Sequence, residues 1–154
     1  MTLNELTKEL EQLRRQATDI LEDTEYEEYN DFSAIGYERT DGEALLLVNE
    51  YRGIMERLSD IKWTLEYLNR PVDYTDTLQL NGNGKYETVN GRKYYSCGTG
   101  IEFEYSEEVY NSVTEDWEYV KTWRISRVEH NGERYYIVGY SMVELDGLKV
   151  RVRK

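Results

Sequence analysis

Leu78-Gln79-Leu80-Asn81-Gly82-Asn83-Gly84-Lys85-Tyr86-Glu87-Thr88-Val89-Asn90-Gly91 is the stretch on which the fold turns. Before it, apolar residues recur every three or four positions. Within and after it they alternate with polar ones, and Asn-Gly pairs follow in quick succession. Such pairs supply the positive φ angles of tight hairpin turns, and Asn131-Gly132 and Asp146-Gly147 carry the signal to the C-terminus. The flanks read as strands: Lys85 to Val89, Lys93 to Cys97, Ile101 to Tyr105, Tyr119 to Val128, Arg134 to Tyr140 and Leu148 to Arg153. A small antiparallel sheet or partly open barrel of five or six strands follows. In the last strand Leu148, Val150 and Val152 point to one face and Lys149, Arg151 and Arg153 to the other, predicting one buried and one wet side.

Upstream the period is helical. Leu3, Leu6, Leu10, Leu13, Ala17 and Ile20 form the seam of an amphipathic helix over Leu3 to Glu22, with a Thr2-x-x-Glu5 capping box at its start. A second helix begins near Thr40 with the box Thr40-x-x-Glu43. It runs through Leu47, Tyr51, Ile54, Leu58, Ile61, Leu65 and Leu68 until Pro71 stops it. Two heptad seams joined by a connection predict an antiparallel helical hairpin, because neither stripe is stable in water. Leu45, Leu46, Val48, Met55 and Trp63 widen the second helix beyond a two-helix seam, so it is expected to touch the C-terminal half or a second copy. The fold class is α+β. An acidic helical hairpin over residues 1–77 precedes a small antiparallel β domain over 78–154, the two packed together as one unit.

Residues 1–77 hold 19 Asp+Glu against 8 Lys+Arg, net −11, whereas 78–154 hold 12 against 11, net −1. With 15 tyrosines beside that excess, the first half suits a basic, nucleic-acid-binding partner: carboxylates can stand where phosphates stand, and tyrosine offers a flat face at low entropic cost. Solubility alone is the plainer account of the charge. Met1 leads into no apolar run, no stretch reaches the roughly 20 apolar residues of a membrane span, and Cys97 has no partner for an intrachain disulfide. The expectation is a cytoplasmic protein.

The sharpest local feature is Glu22-Asp23-Thr24-Glu25-Tyr26-Glu27-Glu28-Tyr29-Asn30-Asp31, with six carboxylates and no base. It reads as a solvated linker, or as a loop that a basic groove orders, with Tyr26 and Tyr29 stacking where bases would lie. A second acid run, Glu102, Glu104, Glu107, Glu108, Glu115, Asp116 and Glu118, has no Lys or Arg between Ile101 and Val120. An exposed hairpin loop between Ser106 and Trp117 is the reading there. Scattered glutamates without histidine do not build a transition-metal site, and no calcium-loop spacing is present, so no metal or cofactor is expected. Expected partner contacts are therefore Glu22, Asp23, Glu25, Tyr26, Glu27, Glu28, Tyr29, Asp31, Glu107, Glu108, Glu115 and Asp116.

Catalytic constellations are sparse. Cys97 reads as a strand-end residue before the Gly98 turn, and His130 as the residue entering the Asn131-Gly132 hairpin, rather than as a thiolate and its base. Glu102 and Glu104, two apart on one strand, lie on one face and could share a divalent ion in a nuclease. Direct nucleic-acid binding through Lys149, Arg151, Arg153 and Lys154 competes with a plainer role, the guarding of an edge strand.

Asn83-Gly84-Lys85-Tyr86, Ser96-Cys97-Gly98 leading to Gly100-Ile101-Glu102, Ser126-Arg127-Val128-Glu129-His130 and Leu145-Asp146-Gly147-Leu148-Lys149-Val150-Arg151 give residues 78–154 a resemblance to a family of uncharacterised bacterial domains found on mobile elements of Gram-positive hosts. In overall character the chain is similar to anti-CRISPR proteins, many of which block an effector's basic nucleic-acid channel. The family resemblance assigns no activity; the net −11 first half and the Glu22 to Asp31 run lead to the expectation of an inhibitory, non-enzymatic binding protein that occupies a basic nucleic-acid-binding site of a partner, a CRISPR effector nuclease of the Cas9 type. The alternative is a structural or regulatory module that dimerises through its helices.

Overall fold

A computed structural model describes residues 1–154. The chain divides into two compact units, Met1–Arg70 and Pro71–Lys154. No helix is long and apolar enough to cross a membrane.

The first unit holds α1 (Leu3–Asp23), a single turn α2 (Tyr26–Tyr29) and α3 (Gly42–Asn69). Thr2 and Glu5 form the expected capping box at the start of α1. At α3 the cap differs from expectation: Asp41 is the N-cap and accepts from the Glu43 amide, while the Thr40 hydroxyl and amide turn back to Glu38. A carboxylate at this position favours the positive end of the helix dipole as a hydroxyl cannot. The last helical residue is Asn69, two before Pro71, as the proline requires. The two long helices run antiparallel, since Arg14 pairs with Glu66 at 3.7 Å and Asn69 donates to Glu11 at 2.9 Å.

Their seams do not meet as the heptad spacing predicts. On α3 the buried residues are Val48, Met55 and Lys62, one column of the heptad round from the expected seam. The cause is the connection between the helices. Tyr26 and Phe32 fold back onto Leu21, Val48 and Met55, with Ile35, Tyr37 and Leu58 packed around them. Burying two aromatic rings is worth several kcal/mol, enough to decide which stripe of α3 turns inward.

The second unit is one antiparallel, curled sheet of seven strands, ordered β3-β2-β1-β7-β4-β5-β6. These are β1 (Val72–Leu80), β2 (Tyr86–Thr88), β3 (Tyr94–Tyr95), β4 (Gly100–Asn111), β5 (Asp116–His130), β6 (Tyr135–Ile137) and β7 (Lys149–Arg153). The strand missing from the sequence reading is β1, so the helical region ends at Arg70 rather than residue 77. Its polar residues Asp73, Thr75 and Asp76 obscure the alternation, yet Leu78 is buried and the strand pairs with both β2 and β7. Asp76 is polar for a local reason: its carboxylate accepts from the Thr77 and Asn90 amides. The core comprises Leu78, Tyr95, Ile101, Phe103, Val128, Ile137, Leu145 and Val150. Among the turns, Gly147 at φ +78° donates its amide to the Leu78 carbonyl, a conformation that a side chain would strain.

Strand β7 is not an edge. It lies between β1 and β4, so its cations guard no open backbone. On the face expected to be wet, Arg151 and Arg153 hold Glu102, whose side chain is only 1% exposed, at 2.6 and 2.8 Å.

Candidate partner-binding surface

The acidic segment 22–31 is built rather than loose. Glu22 and Asp23 close α1, whose last turn carries no base, so both carboxylates sit at the negative end of the helix dipole. Glu25 then adopts a left-handed conformation at φ +52°, unfavourable for a residue with a β-carbon, and Asn30 does so at φ +53°. Between them the α2 turn carries Tyr26, Glu27, Glu28 and Tyr29.

Of the residues expected at the contact surface, one is taken inside and another is held by a buried cation. Tyr26 is buried, its ring 5.2 Å from that of Phe32, and its hydroxyl reaches the Arg52 carbonyl at 3.4 Å. It offers no stacking platform. Glu27 accepts from buried Lys62 at 2.7 Å and from the Ser59 hydroxyl at 2.8 Å, and the Trp63 indole also hydrogen-bonds it. The Lys62 bond is the main reason that its carboxyl titrates below the ordinary range. Lys62, 35 residues away in sequence, is thus the base that the run itself lacks. Asp31 is held by a local turn, accepting from the Ser33 amide at 2.8 Å, which also lowers its pKa.

Also outward are Glu22, Asp23, Glu25, Glu28 and the half-exposed ring of Tyr29. The Tyr29 hydroxyl bonds Glu28, which raises the phenol's pKa and keeps it protonated beside the carboxylates. Next to this edge lies a shallow cleft of about 340 Å³ lined by Tyr26, Glu27, Asn30, Glu56, Ser59, Asp60 and Trp63. Trp63 is about half exposed there.

In the second unit the expected loop between Ser106 and Trp117 is regular structure. Strand β4 continues to Asn111 and β5 begins at Asp116, leaving only residues 112–115 as a turn. The cross-strand pair Tyr110 and Trp117, rings 5.5 Å apart, clamps the end of this two-stranded arm, and such contacts explain why the ladder continues. Glu107 is paired with Arg124 at 2.7 Å. Glu108 faces Tyr119 across the ladder, Glu115 forms the turn at φ +54°, and Asp116 accepts from the Trp117 amide. Glu108, Glu115 and Asp116 are exposed.

Most residues of the enzyme-like constellations are engaged by other groups. Glu102 is held by two arginines, and Glu104 lies 3.6 Å from Lys121 and 3.9 Å from Lys149, so the two carboxylates face cations rather than a shared ion. No three His, Cys, Asp or Glu side chains converge in a metal-binding group. Cys97 is an exposed free thiol, whereas the His130 Nδ1 accepts from the Gly132 amide and its ring abuts Tyr135 at 4.7 Å.

Sequence reasoning missed Lys62, Trp63 and the Arg151–Glu102–Arg153 cluster as structural partners. Alternation was the available signal for the last: opposite charges on adjacent strands, at positions facing the same side.

The model of the DUF5348 family, a domain of unknown function, matches residues 76–152, from the middle of β1 to the penultimate residue of β7. The chain belongs to that family. No curated protein and no solved structure matches the chain.

Proposed function

We propose that this member of the DUF5348 family is a non-enzymatic, acidic binding protein. Its helical unit occupies a basic, nucleic-acid-binding surface of a partner protein and excludes nucleic acid from it. The observation behind this reading is the edge at residues 22–29. Four carboxylates there stay outward on a backbone pinned by Tyr26 and Glu27, although their placement at a helix C-terminus and in a left-handed residue lowers stability. Placing charge where it weakens the fold, on a scaffold that fixes it, fits selection for binding better than for solubility. A fixed array also loses less entropy on docking than a mobile loop. The field of the unit reinforces the edge: residues 1–70 hold 17 Asp+Glu against 8 Lys+Arg, net −9. Attraction to a positive groove follows from that field.

The basic channel of a Cas9-type CRISPR effector is the partner this reading places first, and target DNA cleavage is what the docked protein would block. The test is to titrate purified protein against such an effector at about 0.05 and 0.3 M salt, beside a variant with Glu22, Asp23, Glu25 and Glu28 changed to Lys. The expected result is inhibition that weakens with salt and falls at least about tenfold in the variant, since exposed charges are screened beyond about 8 Å at physiological ionic strength. No inhibition at low salt removes the CRISPR effector as partner. Equal binding by the variant to whichever basic partner is captured removes the edge as the contact.

A further inference from the structure

The rotation of α3 leaves a surface that the acidic edge does not account for. On α1 the exposed apolar residues Leu6, Leu13 and Ile20 recur every seven positions, and on α3 Leu47, Ile54, Ile61 and Leu68 do the same. Each is between 37% and 51% exposed. In an antiparallel pair, equivalent heptad positions lie on the same side, so the two columns border one face of the hairpin. At one point along this face, where α1 meets α3, lies an apolar groove of about 230 Å³ lined by Leu10, Ile61 and Leu65 together with Asp60 and Thr64. Columns at this repeat flanking a groove form the holes that receive the knobs of another helix.

The charge beside the columns selects the occupant. The outer positions of this face carry Glu5, Glu9 and Asp19 on α1 and Glu50 and Asp60 on α3, against Arg57 as the one base, and all are exposed. A second copy would bring the same acids against these, with like-charge repulsion along both rims. We propose that the α1–α3 groove binds a basic amphipathic helix of a partner protein, with apolar residues at heptad spacing in the groove and Lys or Arg over the acidic rims. The inference deepens the proposed function by naming the part of the basic partner that is recognised, and it rests on an apolar face rather than on the 22–29 edge.

The probes are synthetic helices of the same 28-residue length as α3, with Leu and Ile at a and d positions. One has Lys at the flanking positions, one has Glu there, and one has the Lys composition with its order scrambled. Binding is measured by fluorescence anisotropy to the full chain and to an Ile54→Gln/Ile61→Gln variant. That variant changes no charge, replaces only exposed side chains and is checked by circular dichroism. The Lys-flanked helix should bind at least about tenfold tighter than the other two and lose that advantage in the variant. Equal binding of the scrambled peptide, unchanged binding by a folded variant, or a dimer in sedimentation that the variant dissociates would each overturn the proposal. Because Ile54→Gln and Ile61→Gln leave the field intact, their failure to weaken binding counts against the groove and not against the acidic edge.

Discussion

Glu102 shows what one residue's surroundings do to its meaning. Sequence alternation makes it half of a carboxylate pair; in the sheet it is a buried anion held by Arg151 and by Arg153, whose Nε and Nη2 donate at 2.8 and 3.0 Å. Arg151 in turn lies over the Trp123 ring at 4.6 Å, so the cluster extends across three strands, β4, β5 and β7. A buried ion pair contributes little net stability, but removing one partner strands the others in a dry site, at a typical cost of about 3–5 kcal/mol. Glu102→Gln keeps the shape and removes the charge, so it should destabilise the fold by about 3 kcal/mol, read as a lower urea midpoint. A loss of unfolding free energy under about 1 kcal/mol would mean that water already screens the cluster. The same substitution is therefore no clean probe of nuclease chemistry, since lost activity would report lost folding.

The α2 turn makes the same argument for an element. Residues 22–31 taken alone repel one another and read as a solvated connection; in the structure Tyr26 and Phe32 complete the core of the helical unit and Glu27 neutralises Lys62. Reversing Glu25 and Glu28 should leave folding almost unchanged, because exposed charges contribute under about 1 kcal/mol. Reversing Glu27 should not. It would set two cations together with Lys62 only 8% exposed, and with Glu27 itself 29% exposed the loss should be about 2 kcal/mol after allowing for solvent screening. The pH dependence has a definite sign. The Lys62 hydrogen bond depresses the folded-state pKa of Glu27 below the ordinary glutamate range, so the pair's stabilisation is complete above about pH 4.3, the unfolded value, and is lost as pH falls through the folded value. Glu11, held to about 2 chiefly by Arg14 and then Asn69, adds to the same acid-side loss. Urea midpoints from pH 6 down to pH 3 should therefore fall less steeply in Glu27→Gln than in the parent chain. The long helices, the hairpin turns and most strands were legible because each follows a local period or a local turn chemistry. The rotation of α3, the burial of Tyr26 and strand β1 were not, because contacts between residues distant in sequence decide them. Leu47, Ile54, Ile61 and Leu68 illustrate the limit: their spacing announced a seam, but Tyr26 and Phe32 pack against the neighbouring column of Val48 and Met55 and these four stay exposed.

At the scale of the molecule, the two units differ in how completely each satisfies its own apolar surface. Residues 71–154 enclose a core around Phe103, Val128, Ile137 and Val150 within one sheet, and Lys154 returns to donate to the Pro71 carbonyl at 3.0 Å. Residues 1–70 bury only Ala17, Leu21, Tyr26, Phe32, Val48 and Met55 as apolar side chains while leaving two heptad columns in water. A domain of that size buries about 60% of its unfolded surface and is marginal at best. Charge separates the units as well: 71–154 holds 14 Asp+Glu against 11 Lys+Arg, net −3, beside −9 for the helical unit. The polypeptide 71–154 should therefore fold alone, with a cooperative thermal transition and a strand-type circular dichroism spectrum. The polypeptide 1–70 should melt at lower temperature and be stabilised by the Lys-flanked helix, because a ligand that binds only the folded state adds RT ln(1 + [L]/Kd), about 2.7 kcal/mol at a hundredfold excess over Kd. A gain of that size in 1–70 with none in 71–154 would place recognition in the helices and leave the sheet as the part that folds by itself. An equal gain in both would show that the peptide follows net charge alone, and the helical groove would lose its role.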